Sequence, residues 1–344
     1  MTDTTAPSRR WRLLAVVLGT IALATACSNP TSGAGSADAA EGTVSLSVLA
    51  FTSSAAGWNA SVPAFSDTDA GEGVTVKTTY GPSSGVAQAV LDGTPADVVY
   101  LADQPNMDRL AQQEKVDPDW ASGRYRGQPF GSIASLVVRK GNPLQIRSWA
   151  DLLHPGVEVL AANPILSGSG KWGLMAGYAS ASSGGRDPQA GIDYLNKLIL
   201  EHINVGPTTV QEALELFLAG RGDVLIAPEN SALDAERHSP DVEQVVPPQT
   251  LRIDNQVAVV STSAHRDKAT SLVEYLYTPQ AQRLWAEAGF RPAVPEVARE
   301  FATAFPKPQT LWTIDDLGGW DALDPKFYDP ENGIITRIFD EATS

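Results

Sequence analysis

Cysteine is all but missing from this chain: Cys27 is the single one in 344 residues, so no internal disulfide can form. Histidine is scarce as well. His154, His202, His238 and His265 are scattered at no metal-ligand spacing, which argues against a metal site and leaves no cofactor implied. Positive charge is outnumbered, with 25 Lys and Arg against 40 Asp and Glu and a net charge of −15. Nucleic acid needs a basic stripe that displaces counterions, so it is excluded as a partner. No apolar run reaches the ~20 residues of a comfortable membrane span. Internal repeats at solenoid periods are missing too.

What is present begins with a processed-looking N-terminus. Arg9, Arg10 and Arg12 precede an apolar run from Leu13 to Ala24, and LATAC follows, which is the layout of an export signal. The small-small-Cys ending resembles a bacterial lipobox, with Ala24 where leucine is usual. This predicts a lipoprotein signal peptide over residues 1–27, lipidation at Cys27, and anchoring on the outer face of the cytoplasmic membrane. SNPTSGAGSADAAE is small and polar, so residues 28–42 read as a flexible tether.

The remaining 300 or so residues are ordinary for a folded body, with 43% hydrophobic and 19% charged residues over the chain. TVSLSVLAF, VTVKTTY and ADVVYLA read as strands separated by short helices, a β-α-β-α-β rhythm that predicts a largely parallel sheet. A second set starts at SIASLVVRKGNP and runs through GDVLIAPE and NQVAVVSTSA. Two α/β sets predict two lobes with a cleft between them. The expected division is 43–131 with 262–344 in the first lobe and 132–261 in the second, hinged near residues 130 and 260.

Three turns share a design. GPSSG (81–85), NPILSGSG (163–170) and GPTTVQE (206–212) each carry glycine with Ser or Thr and open an amphipathic helix. Helix starts at the carboxyl ends of strands aim unpaired N–H groups and a positive dipole end into the crevice, so converging starts can hold a small anion without a lysine touching it. Local dipoles of this kind overcome a net negative charge that is screened over about 8 Å. GPSSG, NPILSGSG and GPTTV contain no carboxylate. A site of donors alone suits sulfate, which keeps no proton at neutral pH, better than phosphate, which does. Each turn, taken singly, is also an ordinary helix cap.

Other chemistries fit poorly. Gly168, Gly170 and Gly173 spell G-x-G-x-x-G, but the preceding turn is too long for a dinucleotide unit, and Trp172 stands where a Walker motif needs Ser or Thr. An exported serine hydrolase using Ser167 or Ser83 remains an alternative, although neither serine sits in G-x-S-x-G. The reading is therefore a binder and not an enzyme.

YGPSSG, ADVV, LVVRKGNP, NPILSGSGKWG, GDVLIAPEN, FRP and WTIDDLGGW occur in this order between residues 43 and 337. In this they resemble the periplasmic sulfate- and thiosulfate-binding proteins of ABC importers, in their actinobacterial lipoprotein branch. The resemblance implies an α/β, two-lobed periplasmic-binding-protein fold of type II, Venus-flytrap in action, with the ligand cleft between lobes. It implies capture of sulfate or thiosulfate for delivery to permease subunits, by a monomer. It further implies a backbone N–H from Ser83 with Ser84 beside it, the hydroxyl of Ser167, N–H groups from Gly168 and Ser169, and an N–H from Thr209. Lys171 takes the place of an arginine behind the glycine loop. Pro228 stands where the family has a donor tryptophan, a loss that Thr208 or Thr209 hydroxyls or a water could fill. Molybdate, bound by proteins of the same fold class, is the alternative oxyanion.

Overall fold

The computed structural model describes residues 43–203 and 207–343. The signal, Cys27 and the tether lie outside the described residues. In chain order the elements are β1 (Val44–Phe51), α1 (Ala55–Ser66), β2 (Val74–Gly81), α2 (Ser83–Leu91), β3 (Val98–Leu101), α3 (Gln104–Gln112) and β4 (Phe130–Arg139). There follow β5 (Val159–Leu160), α4 (Gly168–Ala181), α5 (Pro188–Lys197), α6 (Val210–Leu218), β6 (Val224–Pro228), α7 (Glu229–His238), β7 (Val242–Val245) and β8 (Gln249–Val259). The chain ends with α8 (Arg266–Tyr275), α9 (Pro279–Glu287), β9 (Arg291–Pro292), α10 (Pro295–Glu300), β10 (Thr310–Trp312), α11 (Trp320–Tyr328) and α12 (Ile334–Thr343).

Strand order is β2-β1-β3-β8-β4-β6-β5. The sheet is mixed and not largely parallel: β1 pairs β2 and β3 in parallel, but β3 meets β8, and β4 meets β8 and β6, antiparallel. The cause is the two long strands. β4 and β8 run past each other at Phe130–Ile133 and Arg252–Asn255, and each continues into the other lobe's sheet.

Period-two patterning explains why the strands are buried on both faces. In β1, Leu46, Val48 and Ala50 enter one core with Trp58, Tyr100 and Trp285, whereas Leu49 enters another with Val99 and Leu101. In β6, Val224 and Ile226 face one cluster, and Leu225 and Ala227 the opposite one. Trp285 is fully buried, stacked on Phe130 at 4.2 Å and edge-on to Trp58 at 5.6 Å and Tyr100 at 5.5 Å.

The C-terminal segment departs from the expected division. Trp320, Leu323, Phe327, Ile335 and Ile338 share a core with Leu136, Trp172 and Ile226 of the second lobe, not with the first. The apolar face of α11 and α12 finds its partner there, and β10 extends β8 at Gln249–Leu251.

Two carboxylates tie stability to pH. Burial pushes Asp151 up, but N–H groups of Arg147 and Ser148 and the Ser148 hydroxyl outweigh it and leave the pKa below its ordinary value. The N–H and hydroxyl of Thr313 do the same for Asp316. A carboxyl with a depressed folded pKa adds stability above its unfolded pKa and loses it as pH falls through the folded value. Thermal midpoints measured across pH should therefore fall on acidification below about pH 4, and Asp151→Asn should flatten that limb.

Candidate functional site

The cleft is built where strand ends of one lobe meet helix starts of the other. α2 begins at Ser83, directly after β2 and Pro82, so its first N–H groups have no partner within the helix. Ser83 is buried, and its Oγ accepts the Ala102 N–H at 3.1 Å, which fixes the start of α2 against the end of β3. Ser84 is differently engaged. Its N–H and Oγ both donate across the cleft to the Leu166 carbonyl, at 3.3 and 2.7 Å, so it joins the lobes rather than offering a free amide.

α4 opens on the second lobe. Ser167 is its N-cap: Oγ accepts the Gly170 N–H at 3.2 Å, while the hydroxyl proton meets no acceptor among the described residues. Among the described residues nothing bonds the Gly168 or Ser169 amide, and both residues are buried. These amides and the dipole of a 14-residue helix make this start one that can attract an anion. Glycine is required here by close approach. A methyl on Gly168 would overlap the Asp103 carboxylate and stand 2.9 Å from Ser83 Oγ, and one on Gly170 would stand 2.6 Å from the Ala162 carbonyl. The glycines of G-x-G-x-x-G thus serve packing of helix against loop and lobe against lobe.

α6 presents the third start, with the capping box expected at Thr209 and Glu212. Thr209 Oγ1 accepts the Glu212 N–H at 3.1 Å, and Glu212 Oε2 accepts the Thr208 N–H at 2.6 Å and the Thr209 N–H at 3.4 Å. The Thr209 amide assigned to the ligand is therefore engaged by a carboxylate, which leaves Val210 and Gln211 as the amides of the first turn with no partner among the described residues. The Pro207 carbonyl accepts the Asn163 N–H at 2.9 Å and ties this turn to the loop before α4.

Lys171, expected behind the glycine loop, is engaged by the C-terminal helices. Its Nζ reaches Asp324 on α11 at 2.6 Å and lies 4.6 Å from the centre of the Tyr328 ring, whose hydroxyl donates to the Lys171 carbonyl at 3.2 Å. Burial first, then Asp324 and Asp103, push the Tyr328 hydroxyl well above its ordinary pKa, so it remains a donor. The next residue, Trp172, is fully buried; its indole N–H donates to the Ala102 carbonyl of the first lobe at 2.5 Å, and its ring meets Trp320 edge-on at 5.0 Å.

Three participants escaped the sequence reading. The turn Thr52–Ser54 at the end of β1 touches α6, a fourth Ser/Thr turn that lacks the glycine by which the others were found. Asn230, two residues past Pro228, donates from Nδ2 to the Ser53 carbonyl at 3.2 Å and links the lobes. Asp103, the N-cap of α3, places a fully buried carboxylate beside Gly168 and Ser83. With Glu212 it corrects the expectation of a cleft free of carboxylates. GPSSG, NPILSGSG and GPTTV contain none, but Glu212 closes the third turn two residues on and the fold brings Asp103 from α3.

Comparison with known proteins agrees with this geometry. The family model for bacterial extracellular solute-binding proteins matches residues 46–291. The sulfate-binding protein of Synechococcus elongatus is 32% identical over 337 residues, covering 94% of this chain and 95% of that one. The thiosulfate-binding protein of Pseudomonas aeruginosa is 31% identical over 278 residues, covering 78% and 83%. The solved structure of the sulfate-binding protein SubI from Mycobacterium tuberculosis is 49% identical with a TM-score of 0.82, covering 83% of this chain and 100% of the other. On these matches, and on a two-lobed fold of type II with helix starts gathered in its cleft, the chain belongs to the sulfate- and thiosulfate-binding family of bacterial extracellular solute-binding proteins.

Proposed function

We propose that the protein is the extracytoplasmic receptor of an ABC importer, held at the membrane through lipidated Cys27, that captures sulfate and accepts thiosulfate. The supporting observation is the α4 start: two buried amides and a Ser167 hydroxyl proton that find no partner among the described residues, with the α2 start across the cleft. Ser83, Ser167, Gly168 and Ser169 are the donors of this reading, with the first turn of α6 as the third side. Pro228 supplies no N–H, so one donor of the family pattern is lost here. Asn230 in the next turn keeps the cleft shut at that edge. Nothing in the ligand is broken or formed; closure about the β4–β8 crossing is what the permease reads.

Calorimetric titration of residues 42–344 with sulfate, thiosulfate and molybdate tests this. Sulfate binding at micromolar or tighter dissociation constant, with thiosulfate competing and molybdate weaker, is the expected result. Absence of heat with sulfate together with tight molybdate binding would transfer the protein to the alternative oxyanion.

A further inference from the structure

Beside Trp172 of α4 lies a small enclosed cavity with walls from both lobes. Gln104 and Gln256 come from the first, where Gln256 of β8 pairs with Leu101 of β3. Trp172, Ile314 and Trp320 come from the core of the second. The free space is about 10 Å³, close to what one water molecule needs and too little for a larger guest. Two of the lining residues each carry a buried polar atom that meets no partner among the described residues: Gln256 Oε1 and Trp320 Nε1, on residues 1% and 3% exposed. The first accepts a hydrogen bond and the second donates one, so a guest has to do both. The Trp172 indole N–H is already given to the Ala102 carbonyl.

Charge around the cavity is balanced. Arg126 and Asp315, both more than half exposed, pair at 3.5 Å on its rim, and Asp254 accepts from Arg252 Nε and Nη2 at 2.9 Å each. The guest that suits such a place is neutral, both donor and acceptor, and the size of water.

We propose that one water molecule is held in this cavity by Gln256 Oε1 and Trp320 Nε1 and joins the first lobe to the second. Trp320 donates its N–H to the water oxygen, and the water donates an O–H to Gln256. Bringing the lobes together strips both groups of bulk solvent, and a bridging water returns the bonds that would otherwise be lost. This water is independent of which anion the cleft takes.

Two measurements on the 42–344 protein test the link. A high-resolution crystal structure with the lobes joined as they are here should show a water within hydrogen-bond distance of both Gln256 Oε1 and Trp320 Nε1. The same side-chain arrangement without a peak at that point overturns the proposal. Urea unfolding of Gln256→Met, Trp320→Phe and the double variant gives the second measurement. Each single change leaves the other polar group without its bridge and should raise the unfolding equilibrium constant by roughly tenfold or more. Packing lost with either side chain is common to the single and double variants and drops out of the comparison. The double variant, with neither group left to satisfy, should lose at least about fivefold less than the product of the singles. Losses that simply multiply overturn the link even with a water in place. If a variant fails to fold, the crystal peak alone decides.

Discussion

Gly168→Asp is expected to abolish oxyanion binding, with affinity falling by roughly a thousandfold or more. Two effects act together. The new side chain would overlap Asp103 and crowd Ser83 Oγ, so the lobes could not come together as they do now. It would also bring a second carboxylate to the α4 start, where the amides of Gly168 and Ser169 await an anion. Gly168→Ala separates the two, because it adds the obstruction without the charge. Overpacking of one methyl costs about 1–3 kcal/mol, so alanine should cost about ten- to a hundredfold in affinity and leave weak binding measurable. Titration calorimetry on both variants gives the comparison. Aspartate binding as well as alanine would mean that the anion does not sit at this helix start.

Trp285→Ala should be the most damaging single truncation for stability, about 3–5 kcal/mol by urea unfolding. The indole is fully buried and lies among four other rings: it stacks on Phe130 at the start of β4 and meets Trp58, Tyr100 and Phe290 edge-on. Its ring also fills the space left by Gly57 on α1. Removal therefore loosens α1, α9 and the β4 end of the crossing together. Trp285→Phe keeps part of the stack and should lose clearly less. Equal losses for the two variants would show that the volume near Gly57 matters more than the ring contacts.

Much of the fold was legible because strand burial leaves a period-two mark and caps leave Ser, Thr, Asp and Gly at helix ends. β1, β2 and β3, and the capping box at Thr209 and Glu212, follow directly from such marks. The orientation of β4 and β8 was not legible, since an apolar run reads the same in either direction and their pairing partners lie about 120 residues apart. Neither was the seat of α11, whose Trp320 and Phe327 announce burial without naming the surface they meet. For the site, local motifs gave Ser83, Ser167 and the glycines. The engagement of Ser84 by Leu166, of Thr209 by Glu212 and of Lys171 by Asp324 depends on where side chains point, and Asp103 enters from an element whose sequence looks like a plain N-cap.

The bonds that join the lobes carry a consequence for the transport system as a whole. Ser84 to Leu166, Trp172 to Ala102 and Asn230 to Ser53 link protein to protein, and none of them passes through a ligand. An empty receptor that shuts can make all three, so cargo shifts the balance between shut and open forms instead of creating the shut form anew. An importer that judged receptors by outline alone would then spend some of its cycles on empty deliveries. Fidelity in such a pair has to be shared: the receptor supplies selectivity, and its membrane partner needs a second check, on the cargo itself or on how long the receptor stays shut.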